Sequence, residues 1–147
     1  MTRAQQKQGD VGQGVAALAL SLAGVLQVEK IGTPVRLIPV PSARPNVYQV
    51  IFGEKVSGDH RGILPGGRSV LAETKTHDEP TLPWSMLRPH QPERLTAHHD
   101  AGGLSLLVWV HCDTAYILRW PVPGFGPRGS IALDYAKRAA LQDAISA

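Results

Sequence analysis

The stretch that decides the fold is SGDHRGILPGGRSVLAETK, residues 57–75. A Pro-Gly-Gly sequence at its centre separates two extended-looking segments, which predicts a β-hairpin with strands at about 56–64 and 68–75. In the second strand Glu73 and Lys75 are two residues apart, so both side chains leave the same face of the sheet. Whether Asp59 joins them depends on the length of the turn.

Turn length sets the register of the hairpin. If the two glycines alone form the turn, Asp59 lies opposite Thr74 and projects away from Glu73, because a slip of one residue exchanges the two faces. If Pro65 also belongs to the turn, Asp59 lies directly opposite Glu73 on the same face. Three-residue turns with a left-handed glycine are common, and the residues alone leave both registers open.

The three-residue register would create an acidic site. Two carboxylates would meet at cross-strand distance with Lys75 one pleat away, and their repulsion calls for a proton or a cation between them. Mg²⁺ suits two carboxylates, water and a substrate phosphate oxygen, and such a site supports phosphodiester hydrolysis. Lys75 would add positive charge near the attacking water or the phosphate. The alternative is a surface ion pair, which contributes little energy.

Composition favours one globular domain. The chain has 147 residues, of which 43% are hydrophobic and 18% are charged, a normal balance for a single core. The net charge of +3 permits a polyanionic partner without requiring one. Cys112 is the lone cysteine, so no internal disulfide can form. The apolar run at residues 15–28 is short for a bilayer span and is typical of a core helix.

The order of elements predicts a mixed sheet with helices on its faces. Residues 1–10 are polar and Gly-rich and predict a flexible basic arm. The expected helices cover about residues 11–27, a three-turn segment from Pro92 to the Gly102-Gly103 stop, and about 131–145. Besides the hairpin, the expected strands are 33–40, 47–52, 104–110 and 115–120. Trp109 and Trp120 fall in or at the end of strands, which favours core packing over base stacking.

Three segments resemble one family of nucleases. They are VEKIGTPVRLI (residues 28–38), SGDHRGILPGGRSVLAETKT (57–76) and PHQPERLTAHHDAGGLSLLVWV (89–110). In this order they are similar to the RecU-type Holliday junction resolvases of the PD-(D/E)xK superfamily. The resemblance implies a restriction-endonuclease-like α/β fold, with the Pro-broken segment at about 41–55 forming a protruding stalk.

The resemblance also implies an activity and a set of roles. The expected protein is a homodimeric, Mg²⁺-dependent endonuclease, with Mn²⁺ able to substitute, that places two symmetric nicks across a four-way DNA junction. Asp59 and Glu73 would be metal ligands, Lys75 the catalytic lysine, and Gln91 a residue that orients phosphate or water. The family commonly presents a glutamate from its first helix, and the matching position here is Gln13, which can bind the ion or its water without adding charge.

The resemblance places the DNA contacts on basic residues and the protein in the cytoplasm of a bacterium or a phage-infected bacterial host, with no membrane partner. Arg44 and Lys55 in the stalk would contact phosphates, and Arg3 and Lys7 in the arm would contribute to junction selectivity. Two alternatives remain from the residues. One is another nuclease of the superfamily, acting on duplex or flap DNA, and the other is a DNA-binding architectural protein that does not cut.

Overall fold

A computed structural model describes residues 2–32, 35–39, 48–52 and 60–141. The elements in chain order are helix α1 (Arg3–Leu22), strands β1 (Leu26–Lys30), β2 (Val35–Pro39), β3 (Tyr48–Phe52), β4 (His60–Ile63), β5 (Ser69–Thr76) and β6 (Thr81–Pro83), a 3₁₀ helix (Trp84–Met86), helix α2 (His90–Asp100), strands β7 (Leu104–His111), β8 (Thr114–Arg119) and β9 (Ser130–Ala132), and helix α3 (Leu133–Leu141).

The main sheet has five strands in the order β1-β4-β5-β7-β8. Strands β5 and β7 are parallel, and α2 lies in the crossover between them, whereas the other neighbours are antiparallel. All but the last residue of β7 are buried, as expected for an apolar strand covered on both faces. Strands β2 and β3 form a separate ribbon, and β6 pairs with β9. This confirms the predicted restriction-endonuclease-like mixed α/β fold.

The sheet separates two cores, and alternation along β5 assigns each residue to one of them. On one face, Ala16 and Leu20 of α1 pack with Ala72 of β5 and its β7 neighbours. On the other face, Leu71 packs with Leu95 of α2 and with residues of α3. Both Trp109 and Trp120 are buried in this second core, as the sequence predicted. The next residue of β5 on the Leu71 side is Glu73.

The hairpin adopts the three-residue turn. His60 pairs with Ala72 and Ile63 with Ser69, and the Leu64 amide donates to the Arg68 carbonyl at 2.9 Å, which leaves residues 65–67 as the turn. Both of its glycines have positive φ, +94° and +95°, the conformation that glycine adopts without a steric penalty. Asp59 itself lies outside the described residues.

The amino-terminal prediction was wrong in its boundaries. The expected arm at residues 3–10 belongs to α1, since Ala4, Lys7 and three glutamines are strong helix formers that the polar composition obscured. The helix also ends at Leu22 rather than near Gln27, because Gly24 takes φ +102° and β1 begins two residues later. Within the described ranges, no helix is long and apolar enough to cross a bilayer.

Strands β2 and β3 flank the segment that the sequence assigned to the stalk. Val35 pairs with Phe52 and Pro39 with Tyr48. The stalk residues 41–47 and 53–55, which include Arg44 and Lys55, lie outside the described part of the chain.

Candidate active site

Glu73 occupies the middle of β5, the third of the five strands, and is only 2% exposed. In the parallel register it lies beside Leu107, and Lys75 lies beside Trp109. Both β7 neighbours are completely buried. A carboxylate in such an apolar setting is costly unless charges and hydrogen bonds compensate it.

Among the described residues, at least two side chains offset the cost of burying the Glu73 carboxylate. The Lys75 Nζ lies 3.8 Å from Glu73 Oε1, and the two side chains are 16% and 3% exposed. Gln91 Nε2 donates a hydrogen bond to the same oxygen at 2.6 Å. The structure therefore brings together three of the side chains that the sequence predicted for the site.

The other end of the Gln91 amide fixes its orientation. Gln91 Oε1 accepts the backbone N–H of Arg88 at 2.8 Å, so the NH₂ group is the end that faces Glu73. Gln91 thus presents a donor to the site, while its oxygen is already engaged. Sequence reasoning missed the contribution of Arg88, and no residue pattern signals it because the group involved is a main-chain amide.

The start of α2 positions Gln91 above the sheet. The helix begins at His90, and Pro92 lies in its first turn, where the missing N–H removes no helical hydrogen bond. The backbone N–H of Gln91 donates a hydrogen bond to the Arg88 carbonyl at 2.9 Å. Because helix amino termini carry partial positive charge, this end of α2 favours an anionic group in front of it.

The far end of α2 closes with two glycines, as predicted. The Gly103 amide donates to the His98 carbonyl and the Gly102 amide to the His99 carbonyl, both at 3.0 Å. These two bonds form a Schellman motif, and Gly102 supplies its left-handed residue with φ +98°. The helix therefore ends at a defined place on the sheet.

His98 joins this end of α2 to two strands. Its Nε2 lies 3.0 Å from the hydroxyl of Ser69 on β5, and its Nδ1 lies 2.9 Å from that of Ser105 on β7. Since Ser105 donates its proton to the Leu95 carbonyl at 2.6 Å, His98 Nδ1 must be the donor. Burial lowers the pKa of His98, and the neighbouring charge of Arg68 lowers it further. The neutral ring therefore holds α2 in place, and Gln91 with it.

Gln13 approaches from the other face of the sheet. Its neighbour Gly12 packs against Thr76 so closely that a Cβ there would overlap the threonine side chain, which puts this part of α1 at the carboxyl-terminal end of β5. Among the described residues, Gln13 Oε1 is buried and has no hydrogen-bond partner. No described contact joins Gln13 to Glu73, so the predicted role of Gln13 stays a prediction.

Two of the four predicted DNA-binding residues lie on α1. Arg3 and Lys7 are exposed on the first turns of α1, and Lys7 lines a cavity that also includes Asp78 and Asp113. Arg44 and Lys55 lie outside the described ranges, as does Asp59. The roles assigned to these residues stay predictions.

Only some of the atoms that face the site are suitable ligands for a hard cation such as Mg²⁺. Within the described residues, no three side chains of His, Cys, Asp or Glu form a cluster. Glu73 offers carboxylate oxygens, the ligand type that Mg²⁺ prefers, whereas the Gln91 amide points its nitrogen at the site. A bound Mg²⁺ would therefore require a further carboxylate, for which Asp59 is the candidate, and water.

The RecU family model, described as recombination protein U, matches residues 20–122. The chain belongs to the RecU family. The match covers more than half of the chain and includes Glu73, Lys75 and Gln91, whereas Gln13 precedes it. The predicted resemblance to RecU-type Holliday junction resolvases is thus confirmed at the level of the family. Among curated proteins, none matches this RecU-family chain.

Proposed function

We propose that this RecU-family protein is a structure-selective DNA endonuclease that resolves four-way junctions by Mg²⁺-dependent phosphodiester hydrolysis. The observation that supports this best is the buried Glu73 between Lys75 and Gln91 on the central strand. An ordinary surface ion pair would be solvated, whereas these charged side chains are at most 16% exposed. Burying them is costly, and a reaction that uses them would account for that cost.

Asp59 completes the proposed site. The register His60–Ala72, continued by one residue, would set position 59 opposite Glu73, and opposite residues of antiparallel strands share a face. Asp59 and Glu73 would then hold Mg²⁺, with Mn²⁺ as a substitute. When bound, the metal supplies a Lewis acid and lowers the pKa of a water molecule.

The protein's own side chains have separate tasks in this proposal. Lys75 stabilises negative charge that develops on the phosphate. Gln91 donates to Glu73 and so holds its carboxylate in one orientation. Gln13 supplies an uncharged amide oxygen at the margin of the pocket, in place of the family's glutamate.

The proposed substrate contacts extend beyond the pocket. Arg44 and Lys55 would contact phosphates at the junction centre, and Arg3 and Lys7 would contact the arms, by attraction to the DNA backbone. A homodimer would place two pockets at the two strands that are cut, which accounts for paired symmetric nicks. The proposed setting is the cytoplasm of a bacterium or of a phage-infected bacterial host.

Cleavage of defined DNA substrates tests the proposal. The rate of nicking is measured in Mg²⁺ on a synthetic four-way junction, a linear duplex and a flap. The proteins compared are wild type, Asp59→Asn, Glu73→Gln and a control, Glu29→Gln. Glu29 is an exposed carboxylate paired with Arg61 on the surface. Wild type and control should nick opposite strands of the junction, and both site variants should lose about 100-fold or more in rate.

The same assay separates the alternatives. Cutting that survives both Asp59→Asn and Glu73→Gln would overturn the proposed site. Equal cutting of duplex, flap and junction would indicate a different nuclease of the superfamily. Junction binding without cutting in Mg²⁺ or Mn²⁺ would indicate an architectural protein.

A further inference from the structure

A stripe of three side chains on α2 faces the sheet and consists of Gln91, Leu95 and His98. They are four and three residues apart, so they lie on the same side of the helix. Gln91 donates to Glu73 at the amino-terminal end, and His98 is hydrogen-bonded to Ser69 near the carboxyl-terminal end. Between them, Leu95 is buried in the apolar core. Helix α2 is therefore attached to β5 by a polar contact near each of its ends.

The two polar contacts fix where α2 lies along β5. Ser69 and Glu73 leave the same face of the strand and are about 13 Å apart along it. Gln91 and His98 are about 10 Å apart along the helix axis, so the two spans are similar. The apolar contact of Leu95 is non-directional and tolerates sliding, whereas hydrogen bonds weaken steeply when their geometry changes. The polar contacts therefore set the position of the helix.

The His98 ring is held from several sides. Its Nδ1 donates to the hydroxyl of Ser105 on β7 at 2.9 Å, and that hydroxyl donates to the Leu95 carbonyl at 2.6 Å. A Cβ at Gly103 would overlap the ring, so the backbone closes tightly over it. The ring thus links α2 to β5 and β7 at once.

Arg68 adds a second link at the same end of α2. Its Nε donates to the Gly102 carbonyl at 3.2 Å and its Nη2 to the Gly103 carbonyl at 3.4 Å. A positive charge is favourable beside the carboxyl-terminal end of a helix. Arg68 and Ser69 are consecutive residues of the hairpin that carries Glu73, so this hairpin holds the end of α2 directly.

The amino-terminal end of α2 offers weaker guides to its position. Pro89, its N-cap residue, makes no side-chain capping hydrogen bond. The Arg88 amide that binds the Gln91 oxygen belongs to the turn leading into the same helix, so it moves with the helix. The placement of Gln91 against Glu73 therefore depends on where the other end of α2 is attached.

We propose that His98 is a positioning residue for the active site. Its hydrogen bonds to Ser69 and Ser105 hold α2 in the register that sets the Gln91 amide against Glu73. The inference rests on the proposed function only for its effect on cleavage, because the placement of Gln91 can be observed without DNA.

A double-mutant cycle of cleavage rates tests this role. Single-turnover nicking of a saturating four-way junction in Mg²⁺ is measured for wild type, His98→Leu, Gln91→Ala and the double variant. His98→Leu keeps an apolar side chain but loses both hydrogen bonds, and should slow nicking about 10- to 100-fold. In the Gln91→Ala background it should slow nicking less than about twofold, because no amide is left to position. A variant that only destabilised the fold would lose the same factor in both backgrounds.

Two further variants serve as controls. His99→Leu makes the same substitution at the next residue, which is exposed, and should cut at the wild-type rate. His98→Gln supplies an amide that can accept from Ser69 and donate to Ser105, and should recover most of the rate. Thermal unfolding checks that every variant is folded at the assay temperature.

The side-chain amide of Gln91 gives a readout that does not depend on cutting. In the NMR spectrum of isotope-labelled protein without DNA, the Gln91 NH₂ signal is the one that Gln91→Ala removes. Its hydrogen bond to the Glu73 carboxylate should shift this signal and slow its exchange with water. His98→Leu should abolish both effects, and His99→Leu should preserve them.

The outcomes separate the positioning role from the nuclease. Equal losses of rate on His98→Leu in both backgrounds, or a Gln91 signal that His98→Leu leaves unchanged, would overturn the positioning role and leave the proposed nuclease intact. A wild type that does not cut would remove the proposed function, and the Gln91 signal alone would then decide whether His98 positions the amide.

Discussion

At the scale of single residues, Gln91 controls the environment of Glu73 through both ends of its amide. Gln91→Glu keeps an oxygen for the Arg88 amide but brings a second carboxylate to the place of a 2.6 Å hydrogen bond. The two carboxylates must then share a proton or separate. We expect junction cleavage to fall about 100-fold, measured under single-turnover conditions. His90→Gln, one residue away, should retain activity, and a fully active Gln91→Glu would show that this hydrogen bond is not needed.

Gln13 offers a second test, because its buried Oε1 has no hydrogen-bond partner among the described residues. Such a group costs about 1 to 3 kcal/mol, so Gln13→Leu should raise the free energy of unfolding, by about 1 kcal/mol. If Gln13 takes the place of the family's glutamate, the same variant should lose cleavage. Urea unfolding and nicking are measured on one preparation. A stabilised variant with full activity would show that Gln13 has no part in cleavage.

Spacing alone predicted that Glu73 and Lys75 share a face, because side chains alternate along any strand. The sequence could not choose between the two registers of the hairpin, and the Leu64–Arg68 hydrogen bond decides it. The burial of the Glu73 side chain was also not predictable from the sequence. Its burial depends on Leu107 and Trp109, which lie more than 30 residues further along the chain and reach it only through the parallel pairing of β5 with β7.

At the scale of elements, strongly periodic segments were predicted well and short ones were missed. The buried run at residues 104–110 and helix α2, which ends just before the Gly102-Gly103 pair, were found because periodicity and stop signals are local. Strand β1 (Leu26–Lys30) was missed. The predicted helix ran on to about residue 27 because Val25 and Leu26 continue its apolar pattern, and residues 28–30 were assigned to no element. Strands β6 and β9 have three residues each, and their pairing exists only after the chain has folded.

The tight packing at the carboxyl-terminal end of α2 leads to a prediction about Gly103. A Cβ at this position would overlap the His98 ring, which is held by Ser69 and Ser105 and cannot move freely. Gly103→Ala should therefore destabilise the protein by about 1 to 3 kcal/mol, measured by thermal unfolding. Gly14→Ala is the control, since that Cβ meets nothing within 4 Å and alanine favours a helix. Equal stability of Gly103→Ala and wild type would contradict the tight fit.

The same side chain makes stability depend on pH. Burial lowers the pKa of His98 below its ordinary 6.5. In mildly acidic solution, His98 therefore binds a proton in the unfolded chain but not in the folded chain. The free energy of unfolding should therefore fall as the pH drops below about 6.5, until the folded pKa is reached. His98→Gln should reduce this dependence. His90→Gln should keep it, because His90 is not part of the Ser69–Ser105 link, and an unchanged profile in His98→Gln would rule out His98 as the cause.

At the scale of the whole molecule, the two faces of the sheet carry different residues of the predicted function. The α2 face carries Glu73 and Gln91 and would bind the scissile phosphate, while α1, which carries Lys7, packs on the opposite face. Lys7 lines a cavity together with Asp78 and Asp113. Because carboxylates repel phosphates, Lys7 is a weaker candidate for a DNA contact than its own charge suggests.

The stalk prediction can be tested through the salt dependence of junction binding. Each neutralised phosphate adds about −0.9 to the slope of log affinity against log salt concentration. In a Glu73→Gln background, which should bind without cutting, Arg44→Ala/Lys55→Ala should flatten the slope by about 0.9 for each phosphate that the stalk no longer neutralises. Lys137→Ala/Arg138→Ala on α3 removes the same charge from two exposed residues and should leave the slope nearly unchanged. Equal flattening by both pairs would mean that net charge, rather than phosphate binding by the stalk, governs affinity.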